Sequence, residues 1–144
     1  METFTTHAPE DWNNVARIIR KHLRTHTGAT VITLKGTLGA GKTTFTQALA
    51  RVLGVTETVV SPTFVIMQSY TTSDEVFRTL VHIDAYRIEH ESEAGVLHLE
   101  EYLNDPHTLI LIEWPENIPS YLPEDTLTIT IDITPEDGRI ITLA

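Results

Sequence analysis

Cysteine is absent from the sequence, arginine and lysine are scarce, and no long apolar run occurs. Without cysteine there are no disulfide staples and no thiolate metal sites, a pattern that fits a reducing compartment. No apolar run approaches the roughly 20 residues that a membrane helix needs. The opening METFTTHAPEDW is acidic and polar, unlike a secretion signal. The expectation is a soluble, cytoplasmic protein with no membrane association. Ten basic residues stand against twenty acids, a net charge of −10. Residues 1–53 hold seven of the basic side chains and three acids; residues 54–144 hold three and seventeen. Such a surface repels a phosphate backbone, which argues against stable direct binding of nucleic acid. It suits either plain solubility or the docking of a basic partner. A chain of 144 residues has room for one domain, read as residues 1–144, and none for a separate substrate domain.

What is present divides into elements by periodicity. From Pro9 to Thr25 the apolar residues Trp12, Val15, Ala16, Ile19 and Leu23 recur at helical spacing, with Glu10 and Asp11 in the first turn and Gly28 at the exit. Arg17, Arg20, Lys21 and Arg24 lie on another face, either solvated or meeting an anion or partner. Ala29–Gly36 is a short β-branched run ending in glycine, read as a buried strand. Lys42–Leu53 reads as a helix stopped by Gly54. TFVIMQSY and EVFRTLVHID flank TTSD as an antiparallel hairpin. Ser92–Leu103 is expected to be a short helix with Val96, Leu99 and Leu103 facing in. Thr108–Trp114 is a second buried strand. TLTITIDIT alternates as a half-buried strand, and PEDG turns it into RIITLA. Strands near both ends with helices between them predict a three-layer α/β domain.

The glycines cluster in one place. Gly36 to Thr43 reads GTLGAGKT and fits G-x-x-x-x-G-K-S/T. Glycines let the backbone wrap phosphate oxygens that a Cβ would hold away. The N–H groups then form an anion cradle at a helix start. Lys42 adds a positive charge, and the Thr43 hydroxyl suits Mg²⁺, a hard ion that prefers oxygen. Chance supplies this pattern in roughly one chain in two hundred of this length, and its place between a strand and a helix sharpens the reading to a nucleoside triphosphate site.

A bound triphosphate needs acids for its magnesium. Two strands end in one: LVHID at Asp84 and LILIE at Glu113. At the carboxyl end of a strand a carboxylate faces the ligand crevice, where either could hold Mg²⁺ or orient the attacking water, or simply cap a turn. Thr63, in SPTF, is placed to sense the γ-phosphate or to be a plain loop hydroxyl. Trp114 is either core or a stacking residue. The seven histidines are scattered and read as surface or capping residues, not as a metal site.

Missing motifs narrow the class. There is no Asn-Lys pair for guanine, no room for a transporter signature insert, and only Arg78, Arg87 and Arg139 after Arg51 to build a kinase lid. A compact ATPase acting on a partner remains. A small-molecule phosphotransferase and an ATP-gated binding module with incidental hydrolysis are the alternatives.

The ordered stretches LKGTLGAGKTTFTQALARVLG, VSPTFVIMQSY, VHIDAYRIE, LEEYL and LIEWPE resemble the TsaE family, also called YjeE. The resemblance runs from the first helix to about Pro123. It implies a P-loop NTPase-like fold, with a mainly parallel sheet, antiparallel additions and flanking helices. It implies an ATPase that supports TsaD and TsaB, which place threonylcarbamoyl on adenosine 37 of tRNAs reading codons that begin with A. tRNA would be met only indirectly, through that complex. Carried over by position, Gly36, Leu38, Gly39, Ala40, Gly41, Lys42 and Thr43 would form the ATP loop, and Thr44 would lie near the α-phosphate. Thr43 and Glu113 would hold Mg²⁺, and Asp84 would be the second acid. Thr63 would belong to a switch-like loop, Trp114 would sit beside the nucleotide or partner, and the adenine would lie near Ala8–Trp12. Arg87 is a candidate to neutralise developing charge. Hydrolysis would be slow alone and faster with partners. Three positions depart from the family pattern: Thr37 for aspartate, Ala85 for leucine, and His98 for glycine.

Overall fold

The computed structural model describes residues 2–37, 39–61 and 66–144. Seven strands are formed among the described residues: β1 (Glu2–Thr6), β2 (Thr30–Lys35), β3 (Met67–Thr71), β4 (Thr79–Asp84), β5 (Thr108–Glu113), β6 (Leu127–Ile133) and β7 (Arg139–Leu143). The α-helices among the described residues are α1 (Pro9–His22), α2 (Lys42–Val52) and α3 (Leu99–Leu103). One sheet runs in the order β1-β7-β6-β2-β5-β4-β3. Its middle strands β6, β2, β5 and β4 are parallel. β3 adds antiparallel at one edge, and β7 with β1 at the other.

Burial explains the sequence of the middle strands. A parallel strand covered on both faces reads as a continuous apolar run, and TLILIE of β5 is buried throughout. Alternate residues point to opposite faces. Ile32, Leu34, Leu80, Leu109 and Leu111 join a core with Trp12, Ala16 and Ile19 of α1 and Phe45 and Leu49 of α2. Val31, Val81, Ile83, Ile110 and Ile112 join a second core with Ala94, Leu99 and Ile118. The same alternation puts His82 and Asp84 on the Leu80 face, and Glu113 on the Leu109 and Leu111 face. All three polar residues therefore lie on the side of α2. Phe45 and Leu49 are fully buried and fix α2 on that face; truncating Phe45 to alanine would cost about 3–5 kcal/mol.

Three local features differ from expectation, and a fourth adds to it. Helix α1 stops at His22, three residues early, and the Arg24 guanidinium donates to the carbonyls of Lys21 and Leu23 there. The opening residues form an edge strand, β1, paired with β7; its one apolar residue, Phe4, packs on the core, too little to give a periodic signal. The 92–103 segment is not one helix. It is a 3₁₀ turn over Glu91–Leu97, a left-handed residue at His98 (φ 53°), then α3. Three residues per turn and the reversal at His98 change which side chains face in. Ala94 and Leu99 are buried, while Val96, expected inside, is 78% exposed. Finally, the hairpin pairs β3 with β4 as expected, and its connection is tied to α1. Arg20 donates twice to the Asp74 carboxylate, at 2.9 and 2.8 Å, and lies over the Phe77 ring.

Candidate functional site

The chain between β2 and α2 is pressed into place from three sides. A Cβ on Gly36 would sit 2.7 Å from the carbonyl oxygen of Ile131 in β6, so only glycine fits. Gly41 has φ 119°, and a Cβ there would come 2.7 Å from the Trp12 indole of α1. Ala40 is fully buried, and its N–H donates to the Thr37 carbonyl at 3.0 Å. From β7, Arg139 Nε donates to the Ala40 carbonyl at 2.8 Å and Nη2 to the Gly39 carbonyl at 3.4 Å. In a trans peptide the C=O and the following N–H point oppositely. Holding the Ala40 carbonyl against Arg139 therefore turns the Gly41 N–H away from β7.

Helix α2 begins at this loop with Gly41 as its cap, no side-chain cap bond among the described residues and no acid in its first turn. The backbone donors of Lys42, Thr43 and Thr44 have no intrahelical acceptor, and the helix dipole adds partial positive charge. Lys42 Nζ curls back to donate to the Gly36 carbonyl at 2.7 Å. This end of α2 opens on a cavity of about 880 Å³. Gly36, Gly39, Gly41, Lys42, Thr43 and Thr44 form one wall. Asp84 and Glu113, 7% and 6% exposed, lie deep within it. Tyr86 and Trp114, their rings 5.0 Å apart, stand more exposed at its mouth with Ser61.

Asp84 and Glu113 are register partners in adjacent parallel strands. Asp84 Oδ1 accepts the Tyr86 N–H at 3.0 Å, and the Ala85 N–H donates to the Glu113 carbonyl. Glu113 Oε2 is bonded to His82 Nε2 at 2.8 Å. Trp114 takes a left-handed conformation (φ 59°) as β5 ends. That rare backbone turn swings its indole to the cavity mouth.

Behind the loop lies a smaller cavity of about 270 Å³. His7, Ala8, Trp12, Thr44, Asp137 and Arg139 are among its lining residues. The N–H groups of His7 and Ala8 donate to Asp11 Oδ2, which holds that carboxyl below its usual range and pins this wall.

The family model described as "Threonylcarbamoyl adenosine biosynthesis protein TsaE" matches residues 6–141. The chain belongs to the TsaE family. It is 46% identical over 112 residues to the tRNA threonylcarbamoyladenosine biosynthesis protein TsaE of Bacillus subtilis, covering 78% of this chain and 67% of that one. It is 32% identical to the protein so described in Haemophilus influenzae, over 99% of this chain and 90% of the other. Its fold is similar to the crystal structure of Bacillus subtilis YdiB, with a TM-score of 0.77 and 33% identity over 99% of this chain and 83% of that one.

In this TsaE family member, Gly36, Gly39, Gly41, Lys42, Thr43, Thr44, Asp84, Glu113 and Trp114 line one cavity. Ala40 is buried within the loop. Leu38 and Thr63 lie outside the described residues. Arg87 is exposed and is not among the described residues lining the cavity. Two neighbours of the site escaped the sequence reading. Arg139 lies 99 residues from the carbonyl it holds, so no local motif announces it. His82, read there as a surface or capping residue, is instead fully buried against Glu113. The available signal was its place inside an apolar strand, two residues before Asp84.

Proposed function

We propose that this chain is a Mg²⁺-dependent P-loop ATPase that supports TsaB and TsaD in forming threonylcarbamoyladenosine on tRNA, without transferring the threonylcarbamoyl group itself. The observation that carries the reading is the uncapped start of α2, with Lys42, opening on the same cavity as Asp84 and Glu113. Packing against Ile131 and Trp12 leaves no room for a Cβ at Gly36 and Gly41 and so fixes the loop beside the start of α2, and a cavity of this size suits a nucleotide. The smaller cavity beside Ala8 and Trp12 is where the adenine would lie.

The residues divide the work by position. The backbone N–H groups at the start of α2 receive the phosphates, and Lys42 turns from the Gly36 carbonyl to the β- and γ-phosphates. Thr43 and Glu113 fit Mg²⁺ by chemistry, as a hydroxyl and a carboxylate sharing one cavity. When bound, that ion would neutralise charge on the transferring phosphoryl group. Asp84 orients the attacking water and takes its proton. Trp114 responds to the nucleotide state at the cavity mouth, and Thr63 keeps the switch role that the family resemblance implies. No arginine lines the cavity among the described residues, so charge stabilisation falls to the partners. Such a group contributes about 10³–10⁵ in rate in other P-loop enzymes, and hydrolysis by the chain alone is expected to be slow. The chain's acidic surface leaves direct tRNA contact to TsaB and TsaD.

The test is steady-state ATP hydrolysis by this chain alone and with its own TsaB and TsaD, with Lys42→Ala as the blank. Stimulation by the partners, with ATP affinity lowered about tenfold to a hundredfold in Lys42→Ala, is the expected result; a charge-assisted contact of about 1.5–3 kcal/mol sets that range. Unchanged binding and pathway activity in Lys42→Ala would sink the reading.

A further inference from the structure

His82 is the least expected residue in the core. It sits in β4 between Val81 and Ile83, with no exposed surface. β4 is flanked by strands on both sides. A buried imidazole is costly unless its nitrogens are bonded. Only one is: Nε2 meets Glu113 Oε2 at 2.8 Å, while Nδ1 has no partner among the described residues. A leucine or phenylalanine would fill this place without an orphaned nitrogen. The core therefore does not explain the histidine; its one partner does. With Glu113 in the ionised form that a metal ligand requires, it only accepts, so Nε2 carries the proton and His82 is the donor.

We propose that His82 is a positioning residue for Glu113, holding one carboxylate oxygen so that the other is presented to the metal of the nucleotide complex. The proposal rests on the function proposed above. The geometry explains why a donor is needed. Glu113 closes β5 on the α2 face, its side chain 7% exposed, with three rotatable bonds and a neighbouring acid at Asp84. Without a fixed donor it can swing from Asp84 or fold back on the backbone. Lys42 bonds the Gly36 carbonyl and turns to the phosphates when nucleotide binds, and Arg139 holds the outer side of the loop. His82 reaches Glu113 from beneath, one strand over, and leaves the cavity side of the carboxylate open. Partners of this kind behind a metal-ligating group alter metal affinity or activity by about 10–100-fold when removed.

The experiment compares wild type with His82→Gln, His82→Asn and His82→Leu. Glutamine places an amide N–H near the position of Nε2; asparagine falls short of it; leucine has no donor. Two constants are measured for each: affinity for ATP in EDTA, by calorimetry, and affinity for Mn²⁺ in the complex with a non-hydrolysable ATP analogue, by electron paramagnetic resonance. Thermal unfolding is followed alongside. The expected result is metal-free ATP affinity unchanged in all four, Mn²⁺ affinity lowered 10–100-fold in His82→Asn and His82→Leu, and His82→Gln within about threefold of wild type. Should His82→Leu fail to fold, the asparagine and glutamine pair carries the comparison. Wild-type Mn²⁺ affinity in His82→Asn, or equal losses in His82→Gln and His82→Asn, would overturn the proposal, the second by making packing the cause. Failure of wild type to bind ATP or Mn²⁺ would overturn the ATPase reading and this proposal together, and differs from the other outcomes in appearing before any substitution is made.

Discussion

Asp84 and Glu113 occupy matching positions at the carboxyl ends of neighbouring parallel strands, both on the face that carries α2. Neighbouring strands lie about 4.8 Å apart, so two acids are held close together inside a cavity where Lys42 is the nearby cation. A bound cation relieves that repulsion, which is why the pair suits a metal nucleotide complex better than a bare triphosphate.

Removing the charges one at a time separates the two roles. Asp84→Asn is expected to lower partner-stimulated ATP turnover by about 10²–10⁴, the range for a positioned base, while leaving the Mg²⁺ requirement of nucleotide binding intact. Glu113→Gln is expected to lose both. Single-turnover kinetics with TsaB and TsaD, beside binding with and without Mg²⁺, read the difference. Identical losses in the two variants would refute the division.

Arg139 holds two carbonyls of the glycine-rich loop from the side away from the large cavity. Arg139→Met keeps the aliphatic stem and removes both donors. A net loss of about 1 kcal/mol corresponds to ATP binding weaker by about fivefold. Calorimetry decides it; an unchanged dissociation constant would mean that Gly36, Gly41 and the start of α2 hold the loop unaided.

The Arg20–Asp74 pair gives a pH signature. Burial raises the Asp74 pKa, but the Arg20 guanidinium and the N–H groups of Phe77 and Val76 more than reverse this, and the carboxyl sits below its usual range. A carboxyl depressed on folding contributes stability above its unfolded pKa, about 3.9, and loses it as pH falls through the folded value. Asp74→Asn is expected to cost about 2 kcal/mol near neutral pH, with the gap from wild type closing below about pH 4. Urea unfolding across pH 2–7 measures it. A gap that stays constant through the acid range would exclude the ionised pair as its source.

His98 stands where the resemblance to the family implies glycine, and its φ of 53° fits that preference. Left-handed backbone disfavours a residue with a Cβ by roughly 1 kcal/mol. His98→Gly is therefore expected to raise the urea midpoint and His98→Ala is not. A glycine variant less stable than wild type would show that the imidazole makes a compensating contact.

Local chemistry was legible where the chain makes it locally. GTLGAGKT announces its loop because the glycines, lysine and threonine act within one turn of one another. The middle strands announced themselves because both faces are buried. The N-terminal strand was not legible, since Glu2–Thr6 has one apolar residue and is a strand only because β7 offers an edge. Nor was the break at His98, where a 3₁₀ turn put Ala94 inside and Val96 out.

The sequence by itself determined the glycine-rich loop between β2 and α2, the strand-end acids and the α/β class, since each follows from residue spacing along one element. Tertiary structure alone decided that Asp84 and Glu113 stand side by side, that Arg139 braces a loop 99 residues away, and that His82 turns toward Glu113. Those relations depend on strand order and register, and the order β6-β2-β5-β4 joins elements far apart in the chain. Hydrophobic burial is non-directional and specifies which face is covered; the hydrogen-bonded pairing of the strands fixes which residues meet there.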